Sequence, residues 1–165
     1  MSPSTMTVAR RPEKPGFLAF LVAFLLMGAL GTPVSADPLV VNPDTGLALS
    51  GYDPVAYFTD RAPRPGRPDL EMNHDGAIWR FSNIGNRDAF REHPDIYAPR
   101  FGGYDPVGIA RSRSVQGNPQ VWAVVGEKLY LFYSEADRAR FVKAPGRILD
   151  DAERNWPEVV RTIGR

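Results

Sequence analysis

The sequence predicts an α+β fold in which two similar hairpin-plus-helix units pack into one small domain, with helices at the C-terminal end. Three observations carry this expectation. The phrase Gly51-Tyr52-Asp53-Pro54-Val55 returns letter for letter as Gly103-Tyr104-Asp105-Pro106-Val107, 52 positions later. Trp79, Phe81, Arg87, Phe90 and Pro94 have partners 51 positions on in Tyr130, Phe132, Arg138, Phe141 and Pro145. Each copy also presents the same signals in the same order: an Asp-Pro turn, a loop, two strand-like runs, a capped helix and a proline stop. A repeat of this period is one supersecondary unit used twice, and the one-residue slip between the two offsets fits a single deletion in a loop.

The elements follow in order. Residues 1–36 divide into a positive stretch (Arg10, Arg11, Lys14), an apolar run from Phe17 to Leu30, a Gly31-Thr32-Pro33 break and small residues at Val34-Ser35-Ala36. That is the three-part layout of a signal peptide, with cleavage expected after Ala36. A retained anchor would need about 20 apolar residues, and the run is shorter. Arg10-Arg11 is followed by Pro12-Glu13 rather than an apolar pair, so it reads as ordinary positive charge and not as a twin-arginine signal. Residues 37–48 form an extended lead-in with turn signals at Asn42-Pro43 and Asp44-Thr45-Gly46, and Leu39, Val40 and Val41 are available to tuck against the body.

The first unit is expected over 49–102. Asp53 can cap a short helix whose first residue, Pro54, has no amide to waste. A Pro-rich loop leads to a hairpin from Leu70 to Ser82 turning at Asp75-Gly76. Ile78 and Arg80 alternate with Trp79 and Phe81, as in a strand with one wet face. Asn83 can cap a helix to about Glu92, which His93-Pro94 ends. The second unit is expected over 103–165. Asp105-Pro106 repeats the cap, and Val107–Ser114 reads as a strand or a short helix. Val121–Val125 and Leu129–Tyr133 form a hairpin across Gly126-Glu127-Lys128. Leu129, Leu131 and Tyr133 oppose Tyr130 and Phe132, so this strand is expected to be buried on both sides, near the middle of a sheet. Ser134 with Asp137 makes a capping box for a helix to about Lys143. Pro145-Gly146 should break that helix, and two further pieces follow, Ile148–Asn155 and Glu158–Ile163. A lone hairpin is marginal in water, so Trp79, Phe81, Phe90, Tyr130, Phe132 and Phe141 are expected to share one core. Trp79, Trp122, Trp156 and the tyrosines could stack on a small ligand, but aromatics on strands are more often core, so the three tryptophans are read as core residues first.

Composition narrows the function. The net charge is +1, and without the leader the chain has 17 basic and 18 acidic residues. That balance does not suit a nucleic-acid partner or a polybasic membrane surface, so contact with a membrane is expected only through the signal segment. The absence of cysteine excludes disulfides, thiolate nucleophiles and Cys-ligated zinc or iron–sulfur clusters.

Gly51–Phe58, Gly76-Ala77-Ile78-Trp79-Arg80-Phe81, Asn86-Arg87-Asp88-Ala89-Phe90, Pro94–Pro99 and Phe101-Gly102-Gly103-Tyr104 together resemble exported bacterial YHS-domain proteins. The likeness is dense over about 49–108 and thinner to about 157. It implies a small α+β unit, a hairpin followed by a helix. It also implies proximity to metal-handling systems, in which cysteines near the hairpin and helix start bind metal. This chain departs from that pattern. Ser82 and Asn86 stand where the resemblance would place thiols, and Asp105 stands where many exported members carry a cysteine after the second tyrosine.

The best constellation for chemistry is Asp53 with Asp105, flanked by Tyr52, Tyr57 and Tyr104. If a pseudo-twofold axis relates the units, these groups could converge on a ligand, since paired carboxylates can hold a hard cation or exchange a proton. The bland alternative is two helix caps and packed tyrosines. His74 and His93 are the only histidines and hence the candidate metal ligands; His74 with Met72 supplies two groups, short of a full transition-metal set. They also read simply as a turn residue and a helix-end residue. No serine has a Gly-x-Ser-x-Gly context. The sequence therefore leads to three expectations. The first is a periplasmic or secreted binding or accessory protein, non-enzymatic, that takes a small ligand or joins metal handling without thiolates. The second is an enzyme using the Asp53/Asp105 region as acid and base. The third is an interaction domain for an envelope protein partner.

Overall fold

The computed structural model describes Pro38–Ile163, so the leader and cleavage point expected within residues 1–36 lie outside the described residues. The described chain runs α1 (Ala56–Thr59), β1 (Arg67–His74), β2 (Ala77–Phe81), α2 (Ile84–Glu92), α3 (Pro94–Tyr97), α4 (Pro106–Ile109), β3 (Asn118–Val125), β4 (Lys128–Phe132), α5 (Glu135–Lys143) and α6 (Pro145–Ile163). This is an α+β fold made of two antiparallel hairpins, each followed by helices.

The duplication extends to backbone detail. Both hairpins turn through two residues in the left-handed region, Asp75-Gly76 (φ 47° and 74°) and Gly126-Glu127 (φ 57° and 59°). Such turns match the right-handed twist of the flanking strands. Lys128, expected in the second turn, is the first residue of β4 and pairs with Val125. Both ladders carry an irregularity at the same place, between Arg67 and Glu71 and between Asn118 and Trp122. Each unit opens with three successive left-handed residues, Leu49-Ser50-Gly51 and Phe101-Gly102-Gly103. Another left-handed step falls at Arg61 and Ser112, 51 positions apart. Gly51 and Gly103 keep the 52-residue offset, so the missing residue lies between the Asp-Pro helix and this turn.

Two cores replace the single one expected. Phe90 sits 4.6 Å from Trp79 and 5.5 Å from Phe81, ring centre to ring centre. Phe141 sits 4.9 Å from Tyr130 and 5.1 Å from Phe132. The division is made by β4. Its Leu129 and Leu131 side chains join the first core, while Tyr130 and Phe132 join the second. So β4 is buried on both faces as expected, but it belongs to a two-stranded sheet. The other unit, and not further strands, covers its second face. Burying each such side chain contributes about 1.5–3 kcal/mol, so a strand apolar on both faces serves two cores at once.

The lead-in is a strap across both cores. Leu39 and Val41 pack on the first and Val40 on the second. The Val40 amide donates to Gly102 O at 2.8 Å, and Ala48 N donates to Ile78 O at 2.9 Å. A Cβ at Gly102 would overlap the Pro38 carbonyl, which is why glycine stands there.

Of the strand and the short helix left open for Val107–Ser114, the structure shows a helix, over Pro106–Ile109. The C-terminal helices differ from expectation. Pro145 opens α6, which continues through Pro157 without dividing into two. Its apolar residues Ile148, Leu149, Ala152, Trp156, Val159 and Ile163 recur at helical spacing and all face the second core. Proline inside a helix costs about 3 kcal/mol; burial of this stripe offsets it. Asn155 Nδ2 anchors the helix to the Ile109 and Ala110 carbonyls at 3.3 and 3.1 Å.

Candidate functional site

The two hairpins are not equally enclosed where the units meet. The first unit's short helix places Tyr57 and Phe58 against Trp122 and Val124 of β3, and the turn after it brings Arg61 alongside. The result is a cavity of about 330 Å³ lined by Tyr57, Phe58, Arg61, Trp122 and Val124. A second cavity, of about 550 Å³, shares Phe58, Arg61 and Val124 and extends past Ile96 and Tyr97 to Glu127 and Lys128. Together they form one aromatic cleft between the units.

Its walls are fixed. Tyr57 and Trp122 meet edge to face at 5.2 Å, and Phe58 and Tyr97 do so at 5.3 Å. The Tyr57 hydroxyl donates to Pro119 O at 2.8 Å. Burial pushes that phenol well above the usual tyrosine range, with Tyr52 and Asp53 adding to the effect, so it stays neutral. Tyr52 accepts from Gln120 Nε2 at 2.7 Å. Tyr52 and Tyr57 therefore both reach the start of β3 and tie the units together. Tyr104 lies instead in the second core, 6.0 Å from Trp156.

Asp53 and Asp105 are almost fully buried, 0% and 1% exposed. Each fastens its own unit. Asp53 Oδ1 accepts from Val55 N (2.9 Å), and its Oδ2 accepts from Ser82 N (2.8 Å), Ser82 Oγ (2.6 Å) and Asn86 Nδ2 (2.6 Å). Ser82 and Asn86, the positions that the resemblance marks for thiols, are thus both donors to Asp53. Asp105 Oδ1 accepts from Val107 N (2.8 Å) and its Oδ2 from Tyr133 N (3.2 Å). Among the described residues no hydrogen bond links the two aspartates. Asp105 borders a cavity of about 360 Å³ with Val107, Gly108, Arg113, Val115, Tyr133 and Asp137, and Asp53 does not line it. Burial raises the Asp105 carboxyl above its usual range, and the nearby Asp137 adds to the effect.

His74 lies at the end of β1 with its Nε2 3.3 Å from Asp75 Oδ2 and its ring 5.6 Å from Phe90. Met72 pairs with Trp79 in the ladder and packs on the first core. His93 is exposed at the junction of α2 and α3. Among the described residues, no three His, Asp or Glu side chains are grouped so that they could hold a metal ion, and no helix is long and apolar enough to cross a membrane.

Sequence reasoning singled out Tyr52 and Tyr57, weighed Trp122 as a stacking residue but read it as core first, and passed over Phe58 and Arg61. The sequence does carry a signal for them. The second copy lacks the Phe58-Thr59-Asp60-Arg61 run that ends the first short helix and leads into its turn, and a difference between copies is where a shared scaffold can acquire a site. Trp122, read as core, is only partly buried, unlike Trp79. Comparison with known protein families, with curated proteins and with solved structures finds none that matches this chain.

Proposed function

We propose that this is an exported binding or accessory protein of the cell envelope, of the YHS-domain type and non-enzymatic, whose inter-unit cleft takes a small ligand. The observation that carries the reading is the cleft itself: Tyr57, Phe58 and Trp122 around a cavity of about 330 Å³ that continues into a larger one. Small-molecule sites are concave and mostly apolar, with few polar groups, and have volumes of about 300–1,000 Å³. The leader pattern at 1–36 supports a periplasmic or secreted address after cleavage near Ala36. Ligand binding is a better-supported role than metal handling, because the cleft offers rings and one guanidinium but no soft-metal ligands. An acid–base enzyme built on Asp53 and Asp105 is the weaker proposal, since each carboxylate is engaged by its own unit's amides. Docking on an envelope protein is the remaining alternative.

Native mass spectrometry of the processed protein, purified from the envelope of cells expressing the full chain, tests this reading. The expected result is a protein beginning near Asp37 with a co-purifying small molecule that Trp122→Ala loses. Unprocessed protein would remove the exported address. A processed protein that carries no molecule, and shows no thermal shift with a small-molecule library, would favour the docking alternative.

A further inference from the structure

We propose that the cleft selects a flat, apolar monocarboxylate, its ring held between Phe58 and Trp122 and its carboxylate paired with Arg61; this rests on the small-ligand reading above. Among the described residues, Arg61 is the only charged group lining the cavity of about 330 Å³. Among the described residues it has no carboxylate within ion-pair distance. Its neighbours in the first unit do: Arg64 pairs with Asp60, Arg67 with Asp69, Arg80 with Glu71, and Arg87 and Arg91 with Asp88. A guanidinium beside apolar rings is matched by a planar carboxylate, which it can grip with two parallel N–H donors. Among the described residues, nothing else lining that cavity competes for the role. The Tyr57 hydroxyl is neutral and already donates to Pro119 O.

The adjoining cavity of about 550 Å³ limits the ligand's charge. Lys128 adds a cation, with its Nζ donating to Asp95 O at 3.2 Å, but Glu127 lies in the same lining. A second carboxylate on the ligand would meet Glu127 as well as Lys128, so one negative charge placed at the Arg61 end fits best. Phe58 and Trp122, which line the cavity of about 330 Å³, are only partly buried and so have ring surface to offer a ligand, whereas Tyr57 is buried behind them. Such surface favours a flat ligand body.

Arg61 can be replaced without disturbing the fold. Its left-handed backbone (φ 52°) recurs at Ser112 (φ 56°), so that conformation belongs to the turn and not to the arginine. The test uses the processed full chain and three probes of one shape: 1-naphthoate, 1-naphthylmethanol and 1-naphthylmethylammonium. Binding is followed by tryptophan fluorescence and calorimetry. Naphthoate is expected to bind up to about fivefold tighter than the alcohol, and the ammonium weakest, since Arg61 is exposed and a solvent-exposed charge pair contributes little more than that factor. Arg61→Gln should erase the preference for the acid over the alcohol, and Arg61→Lys should restore part of it. Equal affinity for acid and alcohol, both lost in Trp122→Ala, would overturn the carboxylate assignment and leave the cleft reading standing. No binding of any probe would also overturn it, and the native mass spectrum then decides the cleft separately.

Discussion

The two buried aspartates occupy the same place in two copies of one scaffold, yet they are satisfied differently. Asp53 Oδ2 takes Ser82 N, Ser82 Oγ and Asn86 Nδ2. Asp105 Oδ2 takes only the Tyr133 amide, and at a longer 3.2 Å. Tyr133 and Asp137 stand 51 positions after Ser82 and Asn86, so one hydroxyl donor became an exposed ring and one amide donor became a second carboxylate. The backbone staple is common to both halves: an amide two residues after the aspartate on Oδ1, and the first amide after the second strand on Oδ2. What the repeat retains is the closure of the Asp-Pro turn onto its hairpin. What it varies is side-chain support, and the less supported carboxylate is the one bordering a cavity of about 360 Å³.

The second strands of the hairpins differ in the same spirit. Ile78 and Arg80 of β2 correspond to Leu129 and Leu131 of β4. The β2 residues are partly exposed, and Arg80 makes an ion pair with Glu71 at 2.7 Å. The β4 residues are buried in the other unit's core. The largest expected effect breaks this contrast. Leu131→Ala should cost about 2–5 kcal/mol by removing buried methyl groups from the wall between the cores. Arg80→Ala, at the equivalent position, should cost about 1 kcal/mol or less, as partly exposed ion pairs usually do. Urea unfolding of both variants decides it. Similar losses would mean that β4 does not divide the cores as described.

A smaller effect separates the aspartates. Asp53→Asn turns one carboxylate oxygen into a donor, and whichever way the amide sits, buried donors lose their acceptor. Hydrogen bonds to charged groups are worth about 1.5–3 kcal/mol each, so we expect a loss of about 3 kcal/mol. Asp105→Asn disturbs a single long bond and relieves repulsion with Asp137, so about 1 kcal/mol is expected. The order of the two midpoints in thermal or urea unfolding checks this. A larger loss in Asp105→Asn would reverse the comparison.

Much of the scaffold was legible because it was written twice. The hairpin turn at Asp75-Gly76, the Asn83 and Ser134 caps and the aromatic inner faces all follow from local rules, and the structure bears them out. The split core was not legible. Periodicity shows that β4 is apolar on both faces, but it cannot say whether another strand or another unit covers the second face. The course of α6 through Pro157 was hidden for a similar reason, since the stripe that offsets the proline has value only once the second core exists to receive it. Of the site, Tyr52 and Tyr57 were found as part of the repeated phrase. Phe58, Arg61 and Trp122 come together only through the packing of one unit on the other, across about 60 residues of chain.

The smallest expected effect sharpens the comparison through pH. Burial, with Asp137 adding to it, holds the Asp105 carboxyl above its ordinary value of 3.8 in the folded protein. The folded state therefore binds this proton more tightly than the unfolded chain does. The resulting contribution to stability is fully present below about 3.8 and is lost as the pH rises through the raised folded-state value. Asp105→Asn has no such proton. The stability of the wild type relative to this variant should consequently increase as the pH falls from neutrality towards 3.8, by a modest amount superimposed on whatever acidification does to both. Asp137 and Arg113, which border the same cavity, remain in both proteins, so the variant serves as the reference for their titration. Paired unfolding curves at several pH values supply the measurement. A difference that stays flat, or that shrinks on acidification, would mean that Asp105 is as well supported as Asp53 and that the two halves close their turns alike.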